Sequence, residues 1–287
     1  MNLNVRYHPA IFKRSLLFIF IVTSLYSLCA ISAEFDSLGR LTYIEGKQEV
    51  SCPIQNKSTA VILVIGQSLS ANHASQKFTT KYPESVINYF DGKCYIAASP
   101  LLGATSQYGE FATPLADQLI KSKKYKTIII VASGIGGTAI IRWQYGGDLN
   151  AMVSKTIDGL SKSYKITDVI WQQGESDYEE HTTTSEYINS FNSLANTLQS
   201  KNVHAPIFIS ISSKCGPNWI ENNPVSIAQN ILIDNKNVFL GVNSDKLLDL
   251  EDRVTDECHL MGSGQVKIAD SYANAILNYS TKVKRQQ

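Results

Sequence analysis

A serine placed where an apolar run of strand length gives way to a turn is the first group in this chain able to do chemistry. In Gly66-Gln67-Ser68-Leu69-Ser70 the Ser68 hydroxyl would stand at a sheet edge, with backbone N–H groups of the following turn aimed at a developing negative charge. A helix N-cap serine favours the same position, and Ser70 stands where the second glycine of a G-x-S-x-G elbow would be, so the partners of Ser68 must decide. A nucleophilic serine needs a base, and beyond residue 33 the histidines are His73, His181, His204 and His259. Only His259 has a carboxylate at a useful spacing. In Asp256-Glu257-Cys258-His259, Asp256 can hold Nδ1 of the ring while Nε2 faces the serine; a solvated loop histidine flanked by acids is the plainer alternative. In Trp171-Gln172-Gln173-Gly174-Glu175-Ser176-Asp177, the Gln173 amide beside a glycine is a candidate donor to an oxyanion. The competing readings there are a carboxylate pair, Glu175 with Asp177, or a polar turn capping the next helix.

These residues must be carried by a scaffold. Apolar runs recur at 60–65, 94–99, 127–133, 168–172 and 206–212, rich in Ile and Val and without clean alternation, as expected of parallel strands covered on both faces. VFLGV (238–242) is a possible sixth. Amphipathic stretches fall between them at 114–124, 185–200 and 264–280. The alternation predicts an α/β class, three-layer α/β/α sandwich around a mostly parallel sheet of five strands. The segment LTYIEGKQEVSC reads as a small hairpin or edge extension. In an open parallel sheet, ligands meet the carboxyl ends of the strands, where Ser68 and Gln173 fall.

The composition narrows the function. The 287 residues carry 26 Lys+Arg against 25 Asp+Glu, a net charge of +1, which leaves no basic field for a phosphate backbone and argues against nucleic-acid binding. Residues 1–33, basic and then apolar with small residues up to Ala33, read as a signal peptide, leaving 34–287 as a single domain with no stable membrane anchor. The apolar run is shorter than the ~20 residues a spanning helix needs, and Leu28 before Cys29 argues against lipoprotein processing. A secreted or periplasmic location is expected. Cys52, Cys94, Cys215 and Cys258 then remain, enough for two disulfides in three possible pairings. Cys215 follows the fifth run and Cys258 adjoins His259, which places both at the carboxyl edge. Cys52 precedes the first run and Cys94 opens the second, so the expected pairs are Cys215–Cys258 and Cys52–Cys94.

GQS after the first strand, WQQGESD after the fourth and DECHL before the last helix together resemble the sialate O-acetylesterase-like branch of the SGNH hydrolases, which includes acetylxylan-type carbohydrate esterases. YGEFATPLADQL (108–119) and GIGGTAIIRW (134–143) agree with it, so the resemblance runs from Gly66 to Leu277. It implies a flavodoxin-like five-stranded sheet, with Ser68 as nucleophile, His259 as general base and Asp256 as its orienting carboxylate. The oxyanion hole would comprise the Ser68 N–H, the Gly109 N–H and the Gln173 side chain. Gln67, Glu175, Trp143 and Trp219 are the candidates for sugar contact, with buried aromatics the plainer reading of the two tryptophans. The family usually follows GQS with Asn and a small hydrophobe; Leu69 and Ser70 depart from that, which bears on the sugar rather than on the chemistry.

Gly134-Ile135-Gly136-Gly137-Thr138-Ala139 also fits a dinucleotide fingerprint, but the acidic residue expected roughly 20 positions on is not at the end of a following strand. No metal set is spelled out and no cofactor is expected. The expected activity is therefore a serine O-acetylesterase acting on an acetylated carbohydrate through an acetyl-enzyme. An esterase or lipase of the same fold acting on another acyl ester, and a catalytically silent glycan-binding module, are the alternatives.

Overall fold

The eight residues Thr59–Gly66 form a strand whose every side chain is buried, and the rest of the fold is arranged around it. The computed structural model describes residues 32–286, so the leader expected over 1–33, with Cys29, falls almost wholly outside the described residues. Within them the strands are β1 (Ala33–Phe35), β2 (Leu41–Ile44), β3 (Glu49–Val50), β4 (Thr59–Gly66), β5 (Val86–Phe90), β6 (Lys93–Ile96), β7 (Thr127–Gly134), β8 (Asp168–Gln172), β9 (Ile207–Ile211) and β10 (Val238–Asn243). The helices are α1 (Ala112–Lys121), α2 (Asp148–Leu160), α3 (Glu175–Glu179), α4 (Thr184–Ser200), α5 (Pro224–Leu232), α6 (Ser244–Leu247) and α7 (Gly262–Gln286). From Ser32 onward the chain holds together as one compact unit. Among the described residues no helix is long and apolar enough to cross a membrane.

Alternate residues of β4 explain the three layers. Val61, Leu63 and Ile65 pack with Leu149, Val153 and Ile157 of α2 and Tyr187, Phe191 and Leu194 of α4. Ala60, Ile62 and Val64 face the opposite way, against Leu115 and Leu119 of α1 and Ile268, Tyr272 and Ile276 of α7. A strand buried on both faces has no reason to alternate polar with apolar, which is why this one reads as a continuous apolar run. Truncating such a residue, for example Leu63→Ala, costs on the order of 2–5 kcal/mol. The α4 helix starts where a capping box forms: Thr183 accepts the Glu186 N–H, and the Glu186 carboxylate accepts the N–H of Thr183.

The main sheet has eight strands in the order β10-β9-β8-β4-β7-β5-β6-β3, of which β10 through β5 run parallel. Two expectations are corrected. The run 94–99 is not a parallel strand; β6 returns antiparallel from β5 across Asp91-Gly92, both with positive φ, the geometry of a tight hairpin turn. The sheet therefore has more than five strands, with β10 a sixth parallel one. LTYIEGKQEVSC divides, β2 pairing with β1 in a separate two-stranded sheet and β3 with the β6 edge. Since β7 and β8 flank β4, the loops leaving them part around its carboxyl end, and that crevice is where a ligand would enter.

Candidate active site

Gly66 closes β4 with φ +132, and a Cβ there would lie 2.1 Å from the Gln172 carbonyl oxygen, so only glycine lets β4 end this close to β8. Gln67 then donates its N–H to Gln172 O at 3.0 Å, and residues Ser68–Ser70 make one 3₁₀ turn. The Ser70 hydroxyl is spent on that turn, donating to Gln67 O at 2.7 Å. Ser68 heads it, so its N–H is one of the donors a helical start leaves without an intrahelical acceptor. Among the described residues the Ser68 hydroxyl has no hydrogen-bond partner. It is therefore uncommitted to the fold.

The loop before α7 holds the base. Nδ1 of His259 lies 2.6 Å from Asp256 Oδ2, while Asp256 Oδ1 accepts the N–H groups of Cys258 and His259 at 2.8 and 2.9 Å. Burial works against the Asp256 charge, but the donors from the His259 ring, Cys258 and His259 outweigh it and hold the carboxyl below its ordinary value. The loop is pinned twice. Cys258 is disulfide-bonded to Cys215, and Arg253 Nη1 donates to Cys258 O at 2.7 Å and to Lys214 O at 3.2 Å. The other disulfide joins Cys52 to Cys94, which lies opposite Tyr89 inside the β5–β6 hairpin and not at the start of a parallel strand as expected.

The segment that follows Ser68 meets the His259 loop directly: the Ser75 N–H donates to Leu260 O at 2.8 Å, and the ring of His73 stacks on that of His259 with centroids 5.5 Å apart. Nε2 of His259 makes no hydrogen bond to Ser68; catalytic hydrogen bonds are often long before substrate binds. His73 sits half-buried, and burial, then the nearby His259, pushes its ring down to about 4. Sequence reasoning passed over His73 because it has no carboxylate nearby; its place five residues after Ser68 was the available signal.

Several expected site residues are engaged within the fold. The Gly109 N–H, expected in the oxyanion hole, is already engaged: it donates to Ala74 O at 2.7 Å in an antiparallel bridge. Gln67 is buried, and its Oε1 accepts from Gln173 Nε2, Gly174 N–H and Ser176 N–H at 3.1–3.2 Å, a clasp between two strand ends in place of a sugar contact. Glu175 is buried against the Ser212 hydroxyl, and desolvation raises its carboxyl to about 7. Asp177 is likewise enclosed, accepting from Gln173 and from the Ile140 N–H, so this carboxylate pair does not face the crevice. Trp143 is wholly buried edge-on against Trp171, its indole N–H donating to Thr138 Oγ1 at 3.1 Å. Only Trp219 of these four candidates reaches a cleft, one of about 390 Å³ that Asn222, Asn230 and Asn243 also line. The Gln173 amide is buried too: Nε2 donates to Asp177, to Thr138 O at 3.1 Å and to Gln67 Oε1, the residue before Ser68, at 3.2 Å. It abuts the Ser68 turn, but its protons are engaged. No three His, Cys, Asp or Glu side chains come together as a metal set among the described residues.

A family model described as "Carbohydrate esterase, sialic acid-specific acetylesterase" matches residues 58–278. Among solved structures, a protein from Arabidopsis thaliana is similar at 19% identity and TM-score 0.58, with 78% of this chain and 99% of that one covered. NanS is similar at 17% identity and TM-score 0.52, over 80% of this chain and all of the other. A variant of Axe2, an acetyl xylan esterase from Geobacillus stearothermophilus, is similar at 14% identity and TM-score 0.51, over 78% and 96%. At these identities the likeness is one of fold. No curated protein sequence matches at a significant level.

Proposed function

Because the chain belongs to the carbohydrate esterase family of sialic acid-specific acetylesterases, and is thus a carboxylic ester hydrolase, we propose that it removes O-acetyl groups from an acetylated sugar through an acetyl-enzyme formed on Ser68. The observation that carries the reading is the Asp256–His259 pair at 2.6 Å, in a loop packed on the segment that leads away from Ser68. Ser68 Oγ attacks the acetyl carbonyl carbon as His259 Nε2 takes its proton. The tetrahedral oxyanion is met by the Ser68 N–H and by a Gln173 amide proton freed from Gln67. Collapse expels the sugar oxygen, which takes the proton from His259. Water, deprotonated by the same ring, then attacks the acetyl-enzyme and releases acetate. Asp256 stays ionised and keeps the ring in the tautomer with its proton on Nδ1.

Residues 34–287 act as one esterase domain in this reading. Two disulfides are compatible with a secreted or periplasmic site of action. The test is acetate release from O-acetylated sialic acid, acetylated xylan and O-acetylated peptidoglycan, by the wild type and by Ser68→Ala. Release from at least one, lost in the variant, is the expected result. Undiminished release by Ser68→Ala would end the acetyl-enzyme reading.

A further inference from the structure

His73 belongs to none of the roles above, yet it is held as firmly as they are. Its Nε2 lies 3.1 Å from Thr105 Oγ1, and that hydroxyl already accepts the Gly136 N–H at 2.8 Å, so its own proton is free for the His73 ring. A Cβ on Gly136 would come within 2.6 Å of His73 Nε2, so the absence of a side chain there is what makes room for the ring. The backbone around it is fixed on both sides. Ala74 exchanges two hydrogen bonds with Gly109, and Ser75 is bonded to Leu260. Thr105 and Gly136 thus hold the ring's edge, while its face meets His259 in a nearly parallel stack, 18° between planes.

The partner face matters chemically. Asp256 holds His259 by its Nδ1 edge, but one hydrogen bond leaves the ring free to swing about that contact. A flat neighbour removes the freedom. During turnover His259 carries a positive charge, and an aromatic face stabilises a cation laid on it. A protonated neighbour would repel it. Burial, more than the nearby His259, pushes the His73 ring down to about 4, so it is neutral at pH 7.

We propose that His73 is a positioning residue for His259, a fixed aromatic platform that sets the plane of the base and supports the imidazolium formed during turnover. This rests on the reading of His259 as general base. Its test is steady-state kinetics on a small chromogenic acetate ester for the wild type, His259→Ala, His73→Ala, His73→Phe and His73→Asn, with thermal unfolding of each. His73→Ala should lose about tenfold in kcat with KM within about twofold, the size of one aromatic-cation contact. His73→Phe keeps a neutral face without ring nitrogens and should recover most of the loss. His73→Asn keeps a polar group toward Thr105 without a face and should be as slow as His73→Ala. A normal kcat for His73→Ala overturns the proposal, as does a change confined to KM, which would make His73 a substrate contact. Recovery by Asn and not Phe overturns it too, because the hydrogen bond and not the ring would then matter. Should His259→Ala itself keep full activity, the base assignment fails; an inactive His259→Ala beside a normal His73→Ala sinks the platform alone.

Discussion

Asp256 grips His259 twice, through its ring at 2.6 Å and through its backbone N–H at 2.9 Å, from only three residues away. One carboxylate thereby shapes the loop and orients the base. The two duties explain why no distant acid is recruited: a tight turn brings donor and acceptor together whatever the rest of the sheet does.

Asp256→Asn should lower kcat by roughly 10⁴, because an amide can present its NH₂ to Nδ1 and favour the wrong tautomer. Glu257→Gln, at a neighbouring position outside this pair, should stay within a few-fold of wild type. Steady-state kinetics on an acetate ester measure both. Equal losses would remove any special role for Asp256.

Ser68→Ala should reduce kcat by about 10⁴ to 10⁶ with an unchanged melting temperature, since its hydroxyl makes no hydrogen bond that the fold relies on. Activity within tenfold of wild type would refute the nucleophile.

Gln173→Ala should lower kcat by about 10² to 10³ more than it raises KM, as expected of a donor that acts when charge develops. Because the same amide serves buried Asp177 and Thr138, the variant should also lose about 1–3 kcal/mol of stability. Denaturant unfolding beside kinetics separates the two effects. A changed KM with normal kcat would make it a binding residue.

Glu175 gives the stability a pH dependence of definite sign. Burial raises its carboxyl from 4.5 to about 7 in the folded protein, so the unfolded chain gives up this proton first as pH rises. The contribution is full below about pH 4.5 and is lost on approaching pH 7. Melting temperatures of wild type and Glu175→Gln across pH 4 to 8 should show a flatter profile for the variant. Parallel profiles would mean that Glu175 does not titrate as assigned.

Cys215→Ser/Cys258→Ser should lower kcat while leaving the sheet folded, because the bond restrains the loop that carries Asp256 and His259 and not the strands. Arg253 still ties Cys258 O to Lys214 O, so the loss should be partial. Circular dichroism with activity checks this, and a variant as active as wild type would show that the loop is rigid without the bond.

The sequence by itself determined what depends on neighbours along the chain. A strand covered on both faces reads as an unbroken apolar run, an amphipathic helix as a periodic one, and Asp256 reaches His259 because three residues of turn suffice. Asp91-Gly92 was an equally local signal for the β5–β6 hairpin, hidden by reading the run that follows it as a parallel strand. Only the tertiary structure decided which polar groups face the crevice. Gly109 is a candidate oxyanion donor in the sequence but pairs with Ala74 once two loops meet, and Gln67 and Glu175, candidate sugar contacts, are buried by packing, while Trp143 is the buried aromatic of its plainer reading. Whether a hydrogen-bonding group is free depends on what else needs one nearby, and segments far apart in the chain supply that demand. For the same reason the stack of His73 on His259 exists only once the ends of the sheet have converged.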